Sequence, residues 1–377
     1  MTIYTWPDTR TFVPQVADLQ VIDNTQRSLE SPLSGYVQTV SMPGARWGWA
    51  MDFAPQDSAS RAALEAQLLK LSGREHRVRL WDIKHPRPRG NIVLTGVTLG
   101  AAAAQFATSL QLAGCLPGNN VLAGGSFEVD SNSDGLADGW TRYSAGTVGT
   151  LSAALSSGVA SHGAYSQSLS AASLGSSQTD RQGITRSSVN VAALAGKTAT
   201  LSCVVLGTLN SSVEVQAAWR DAGGAVISGM TTSVALTTGY QTIVLTGACP
   251  ANAVTAILYI FQHSNTGVAP GLYVDAVQLE AGSSRTAYAV ATLRAGDWLG
   301  LPTGQLVRVV ADAQADDLGR MTVDVRHMLR AAAASGSAVT LDRPTALYVR
   351  AEAGLTLPRM AGGSAPGMSA EFVEVFA

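Results

Sequence analysis

The chain has 377 residues, with 25 Lys and Arg against 27 Asp and Glu, a formal net charge of −2 and only 14% charged side chains. The missing basic excess argues against a free or sequence-specific nucleic-acid binder, and 46% hydrophobic residues argue against long disorder. At ~100–200 residues per domain, the length allows two or three domains.

Met1–Arg10 is polar and lacks the basic and apolar regions of a signal peptide. In Arg46–Phe53, Trp47, Trp49, Met51 and Phe53 alternate with Arg46, Gly48, Ala50 and Asp52, the period of a strand with one buried face. The Met42-Pro43-Gly44 turn before it makes Gly35–Ser41 the expected hairpin partner. A helix follows: Asp57 or Ser58 caps it, Leu64, Leu68 and Leu71 form its apolar stripe, and Gly73 closes it. Arg77–Ile83 alternates again. The nearby basic stretch (Arg74, Arg77, Arg79, Lys84, Arg87, Arg89) reads as a subunit contact or a solvated edge.

From Leu116-Pro117-Gly118 to Glu280-Ala281-Gly282 the composition changes. Residues 116–285 hold six basic and nine acidic side chains in a Ser/Thr/Gly/Ala/Val-rich background. Short apolar runs at 198–205, 213–219, 225–228, 241–247, 253–261 and 272–279 suggest a β-sandwich. The longest apolar run, near Ala256–Phe261, is too short to cross a bilayer, so no membrane insertion is expected. The last segment returns to the first style. Strands are expected at Gln305–Ala311 and Arg320–Val325 around the Asp316–Gly319 turn, and at Val339–Leu341 and Ala346–Ala351. A helical turn is expected over Met328–Ala334, a Gly/Pro-rich tail over 354–369, and an edge strand at Phe372–Phe376.

The chemistry points away from catalysis. Zincin, P-loop, dinucleotide and nucleophile-elbow motifs are absent, and His76, His85, His162, His263 and His327 are scattered. No enzyme activity is expected. Cys115, Cys203 and Cys249 have neither metal spacing nor an even count, and read as reduced, buried hydrophobes. The loop Asp130-Ser131-Asn132-Ser133-Asp134-Gly135-Leu136-Ala137-Asp138 places oxygen ligands at alternate positions, as Ca²⁺ requires, with Asp130, Asn132, Asp134 and Asp138 as candidates. It reads equally as an Asx-rich turn without metal. Thr141, where an EF-hand needs Glu, excludes that motif. Trp140, Tyr143, Trp219, Tyr240 and Tyr259 are the aromatics that could stack on a sugar. Trp219, alternating with Val213, Val215 and Ala217, reads more simply as core.

Two resemblances organise the chain. Ser31-Pro32-Leu33-Ser34-Gly35, Gln38 and Pro43-Gly44-Ala45-Arg46-Trp47, then a helix ending Leu71-Ser72-Gly73, resemble the belt domain of siphophage distal tail proteins. Leu293-Arg294-Ala295-Gly296-Asp297-Trp298-Leu299, Gln305–Val310, Gly319–Val323, Leu329-Arg330 and Asp342-Arg343-Pro344-Thr345 are similar to the same family. There, the strand matching Leu110–Gly114 runs almost directly into the one matching Leu293–Leu299; here about 170 residues intervene. That insert, with Asn120-Val121-Leu122, Gly125-Ser126-Phe127-Glu128, Gly139-Trp140, Tyr273–Gly282 and Thr286-Ala287-Tyr288, resembles a jelly-roll carbohydrate-binding module. Such modules often hold a structural Ca²⁺ at positions matching Glu128 and Asp275.

Together these imply a mainly β protein. Residues 1–88 form a ring-forming belt domain, a β-sandwich with one helix; 89–115 and 289–377 form a discontinuous small OB-like barrel; 116–288 form the inserted jelly roll. The implied role is structural: a virion protein made in the host cytoplasm. It forms a ring, expected to be a hexamer, at the phage tail tip, touching tail tube, hub or tip proteins and tape measure and keeping the lumen open for DNA. The insert would bind host surface polysaccharide. The alternative is a free carbohydrate-binding protein or glycan-active enzyme.

Overall fold

The computed structural model describes all residues except 23–25, 31–36, 42–43, 208–210, 265–270, 353–356, 358–366 and 377. The Ser31–Gly35 motif, the Met42–Pro43 turn and most of the 354–369 tail therefore lie outside the described residues. The fold is mainly β, with one α-helix among the described residues and three hydrophobic cores.

The first core forms where alternation demands it. Trp47, Trp49, Met51 and Phe53 project from Arg46–Phe53 onto the helix Ser58–Leu69, whose Leu64 and Leu68, with Leu71 beyond its end, are buried. Asp57 caps the helix: its Oδ1 accepts from Ala59 N (3.0 Å) and Ser60 N (2.9 Å). The sheet above has six strands in the order Ile3–Thr5, Arg77–Leu80, Ala346–Arg350, Met368–Glu374, Arg46–Phe53, Val16–Ile22.

Two expectations are corrected here. Arg46–Phe53 does not form a hairpin with the segment before it; it pairs with Val16–Ile22 and Met368–Glu374, while Val37–Ser41 pairs with Gln26–Glu30. The last two strands, expected in the barrel and at an edge, lie inside the first sheet. The reason is burial: Met368, Ala370 and Phe372 alternate into the first core, and buried Glu374 accepts from Trp47 N (3.0 Å) and pairs with Arg330 (2.6 Å).

The second core fills a small curled sheet built from distant chain pieces. Its order is Trp298–Gly300, Leu306–Val309, Met321–Arg326, Ser109–Ala113, Thr98–Leu99. Leu110 registers with Val323 and Leu112 with Met321, so strands on either side of the insert share one ladder. Isolated bridges join Thr98 to Ala338 and Gly300 to Thr340, bringing both sheet edges to one short segment. Val339–Leu341 contributes only such a bridge rather than a strand, and Met328–Ala334 is bent, not helical, with Ala333 bridged to Ala103.

The third core belongs to the insert, a jelly-roll sandwich of two five-stranded antiparallel sheets. One runs Leu151–Ser156, Ser166–Ala171, Gly271–Ala281, Thr198–Gly207, Gln241–Ala248. The other runs Val226–Ala235, Ser211–Arg220, Thr255–Ser264, Arg181–Asn190, Thr141–Ala145. Val213, Val215, Ala217 and Trp219 face inward against Leu201, Cys203 and Val205. Entry and exit lie side by side: Asn120 bridges Glu280, and Val121 N donates to Leu279 O (2.9 Å). A sandwich with adjacent ends can interrupt a host loop without disturbing the host core.

Candidate functional site

The two outer faces of the sandwich differ. On the sheet containing Thr198–Gly207 and Gly271–Ala281, the polar residues Thr200, Ser202, Gln278 and Glu280 are buried. The returning chain covers them. Thr200 Oγ1 donates to Gly282 O (2.8 Å), Gln278 Nε2 donates to Thr286 O (3.2 Å), and Glu280 accepts from both the backbone and the hydroxyl of Thr286. The returning chain thus covers the middle of this face, while Val244 on its Gln241–Ala248 strand stays exposed.

The opposite face carries side chains in rows set by the register. Tyr143, Gly183, Phe261 and Glu214 stand opposite one another on four adjacent strands; Thr185, Tyr259 and Gln216 form the next row. Tyr143 packs 5.4 Å from Tyr259 at 72° and 5.5 Å from Phe261 at 31°. Gly183 is required here, because a Cβ would run into the Ile260 carbonyl and the Phe261 backbone. Its lack of a side chain leaves room for Phe261 to lie between neighbouring strands.

A polar rim borders these rings. The Arg181 guanidinium lies 4.5 Å over the Phe261 ring. Glu214 accepts from Thr231 Oγ1 (3.1 Å) and lies 3.2 Å from His263 Nε2, with Arg181 Nη2 at 3.7 Å. Phe261 and His263 are themselves buried and support the half-buried Tyr143 and Tyr259; tyrosine rings beside fixed donors and acceptors suit a sugar, which offers apolar ring faces and hydroxyl edges at once.

Of the five expected aromatics, the fold brings Tyr143 and Tyr259 together. Trp140 and Trp219 leave the candidate surface. Trp140 packs in the core, 5.2 Å from Phe127, and its Nε1 donates to Gly124 O (2.6 Å); Trp219 is fully buried. Tyr240 is exposed but adjoins Gln241–Ala248 in the other sheet. Arg181, Glu214, Phe261 and His263 were not anticipated. Only Glu214 had a sequence signal, because it alternates with inward Val213 and Val215.

The expected cation loop is held by its own hydrogen bonds. Asp130 accepts from Asp134 N (3.2 Å) and Gly135 N (3.0 Å), Asn132 Nδ2 donates to Asp134 (3.1 Å), and Asp138 accepts from Ser131 N (2.9 Å) and Oγ (3.0 Å). The Ser131 bonds hold the Asp138 carboxyl below the usual carboxylate range. Hydrogen bonds of this kind are those of an Asx-rich turn. Glu128 accepts from Ala164 N (3.1 Å) and Ser126 Oγ (3.1 Å), and Asp275 from Ser161 N (2.6 Å), His162 N (2.8 Å) and Ala276 N (2.6 Å). Among the described residues no three His, Cys, Asp or Glu converge as a metal-ligand set.

Glu128 and Asp275 lie beside the joint. Asp317, from the barrel turn, accepts from Ser126 N (2.9 Å), Glu128 N (3.4 Å) and Tyr288 Oη (3.1 Å), and its own carbonyl accepts from Gly124 N (2.7 Å). Burial raises the Asp317 carboxyl, and burial with Glu128 nearby pushes Asp275 up to about 6.

No family profile and no curated protein matches the chain. Solved structures do. The enzymatically active domain of tailspike protein 4 from Bacteriophage CBA120 aligns at 14% identity and a TM-score of 0.33, over 43% of this chain and 21% of that one. The CBM22-1 xylan-binding domain of Paenibacillus barcinonensis Xyn10C aligns at 14% identity and 0.31, over 44% of this chain and 97% of that one. The family 11 carbohydrate-binding module of Clostridium thermocellum Lic26A-Cel5E aligns at 16% identity and 0.31, over 45% and 98%. The chain thus spans about a fifth of the tailspike domain, and each alignment leaves more than half of this chain uncovered.

Proposed function

We propose that this protein is a structural component of a phage tail tip that presents a glycan-binding sandwich on a ring-forming scaffold. The observation that carries the reading is the asymmetry of the insert: the returning chain covers the middle of one face, and the other presents half-buried Tyr143 and Tyr259, backed by the buried Phe261 ring, beside Arg181 and Glu214. The ordered motifs on both sides of the insert support the distal tail assignment. So does a first sheet ending in two strands, Ile3–Thr5 and Val16–Ile22, that pair on one side only among the described residues, which offers edges to a neighbouring copy. A head-to-tail contact closes only if its rotation completes a ring. Several sandwiches on one ring would hold a polysaccharide by avidity even if each binds weakly. The tail tube and tip hub would be the axial partners, with tape measure and DNA passing through the lumen.

Electron microscopy of the purified full chain, with a hydrolysis assay on the same sample, tests the scaffold half of this reading. Rings, with six copies the expected number, agree with it. Monodisperse monomers that cleave polysaccharide would replace it with a free glycan-active enzyme.

A further inference from the structure

We infer that the open face selects an acidic glycan, one bearing a uronate-type carboxylate, and that Arg181 is the residue that reads that charge. This rests on the glycan-binding reading above and adds the ligand's chemical class.

The first argument is charge distribution. Residues 116–288 hold six basic and nine acidic side chains, so the module as a whole repels anions. The strands of the open face reverse that sign. Arg181 and Arg220 lie on it, and Glu214 is the one carboxylate among its described strand residues. The module's other acids are spent on the turn at 130–138, on the joint, or at strand ends. Asp180 and Asp221 flank Arg181 and Arg220 at the strand ends, so the attraction for an anion is local to the Arg181 guanidinium rather than a property of the whole face.

The second argument is hydrogen-bond inventory. Arg181 is held in place by two contacts that leave most of its donors unspent. Its Nε donates to Gln178 O (3.0 Å), and its Cζ lies over the Phe261 ring, 4.5 Å from the centroid. Its Nη2 stands 3.7 Å from Glu214 Oε2, an ion pair but beyond hydrogen-bond length. Glu214 draws its hydrogen bonds from elsewhere, Thr231 on one oxygen and His263 on the other. The Nη groups of Arg181 therefore have no hydrogen-bond partner among the described residues, although the guanidinium is already oriented. A guanidinium held over an aromatic ring and by one backbone hydrogen bond can offer its paired N–H donors to a carboxylate, with less side-chain entropy left to lose on binding.

The third is spacing. Phe261, which Arg181 covers, packs against Tyr143, and Tyr143 against Tyr259. The charge reader and the stacking platform thus share one patch, so a single pyranose unit can stack through its ring while its carboxylate meets Arg181.

Titration of the full chain with hexuronate oligosaccharides and with neutral hexose oligosaccharides of the same linkage tests this. The expected result is uronate binding that weakens with added salt and exceeds neutral binding at least roughly tenfold. Arg181→Ala should lose roughly tenfold to a hundredfold for the uronate, the range for hydrogen bonds to a charged group, and little for the neutral chain. Arg181→Lys should recover part of the loss, and a thermal melt equal to the parent's shows that both variants are folded. Equal affinity for the two sugars, unaffected by Arg181→Ala but abolished by Tyr143→Ala, overturns the acidic class and leaves glycan binding standing. No binding to either series overturns both.

Discussion

Replacing Trp298 by alanine should destabilise the scaffold by about 3–5 kcal/mol, the range for emptying a buried tryptophan site. Trp298 begins a strand of the curled sheet, yet its ring lies in the first core. It packs edge-on against Trp47 at 4.8 Å and near Trp49 at 6.4 Å, and its Nε1 donates to Asp82 Oδ2 (3.0 Å). The Arg308 guanidinium sits 5.3 Å over the same ring. Trp47 returns the contact by donating from Nε1 to Leu306 O (3.0 Å), so the two scaffold units are keyed together from both sides. Alanine leaves a cavity between them and removes a donor from a buried carboxylate. Denaturant melts should show the scaffold transition moving while the insert's holds, because the insert's core includes none of these residues. Trp298→Phe separates the terms: it keeps most of the packing and loses only the N–H. A shift under about 1 kcal/mol for Trp298→Ala would contradict the keyed arrangement.

Asp317→Ala should release the insert from the barrel. The substitution strands Ser126 N, Glu128 N and Tyr288 Oη, at about 1–3 kcal/mol for each donor left buried without a partner. Hydrogen exchange should quicken at 124–128 and 286–288, while the sandwich core keeps its protection. Asp317→Asn keeps one acceptor oxygen and should fall between. Protonation acts on the same cluster through Asp275. Its carboxyl titrates near 4 when unfolded and at about 6 in the fold, raised first by burial. The folded form therefore holds the proton more tightly. This contribution to stability is complete below about pH 4 and is lost as pH rises through about 6. Melting temperatures of the insert should accordingly fall across that window, and Asp275→Asn should flatten the fall. Calcium bridging Glu128 and Asp275 would cancel the slope, so melts with added calcium and with chelator test the ion directly: identical curves in both remove it.

Local pattern was readable wherever burial repeats with the period of the element. Trp47, Trp49, Met51 and Phe53 marked their strand, and Asp57 with Leu64, Leu68 and Leu71 marked the helix. The low charge density of residues 116–285 also sets that segment apart from its flanks in the sequence itself. Partnership between distant strands was not readable. Phe372 alternates as any half-buried strand residue does, and nothing nearby reveals that its neighbour is Trp49, over 300 residues away. The open face failed in the same way. Tyr143, Arg181, Phe261 and Glu214 lie on four strands, and only the ladder register sets them in contact. Phe261 read as one more apolar residue in a run. The aromatics that looked most conspicuous, Trp140 and Trp219, are large enough to be worth most in the core. Asp317 looked like a turn residue, because its partners come from a different unit.

Under the proposed function, polysaccharide meets the sheet that carries Tyr143 and Tyr259. Hydrogen exchange of the full chain, with and without surface polysaccharide from a susceptible host, measures that most directly. The account predicts slowed exchange along Thr141–Ala145, Arg181–Thr185, Ser211–Arg220 and Tyr259–His263, where the aromatic rows lie. Protection appearing instead along Ser166–Ala171 and Gln241–Ala248, or nowhere in the sandwich, would contradict it.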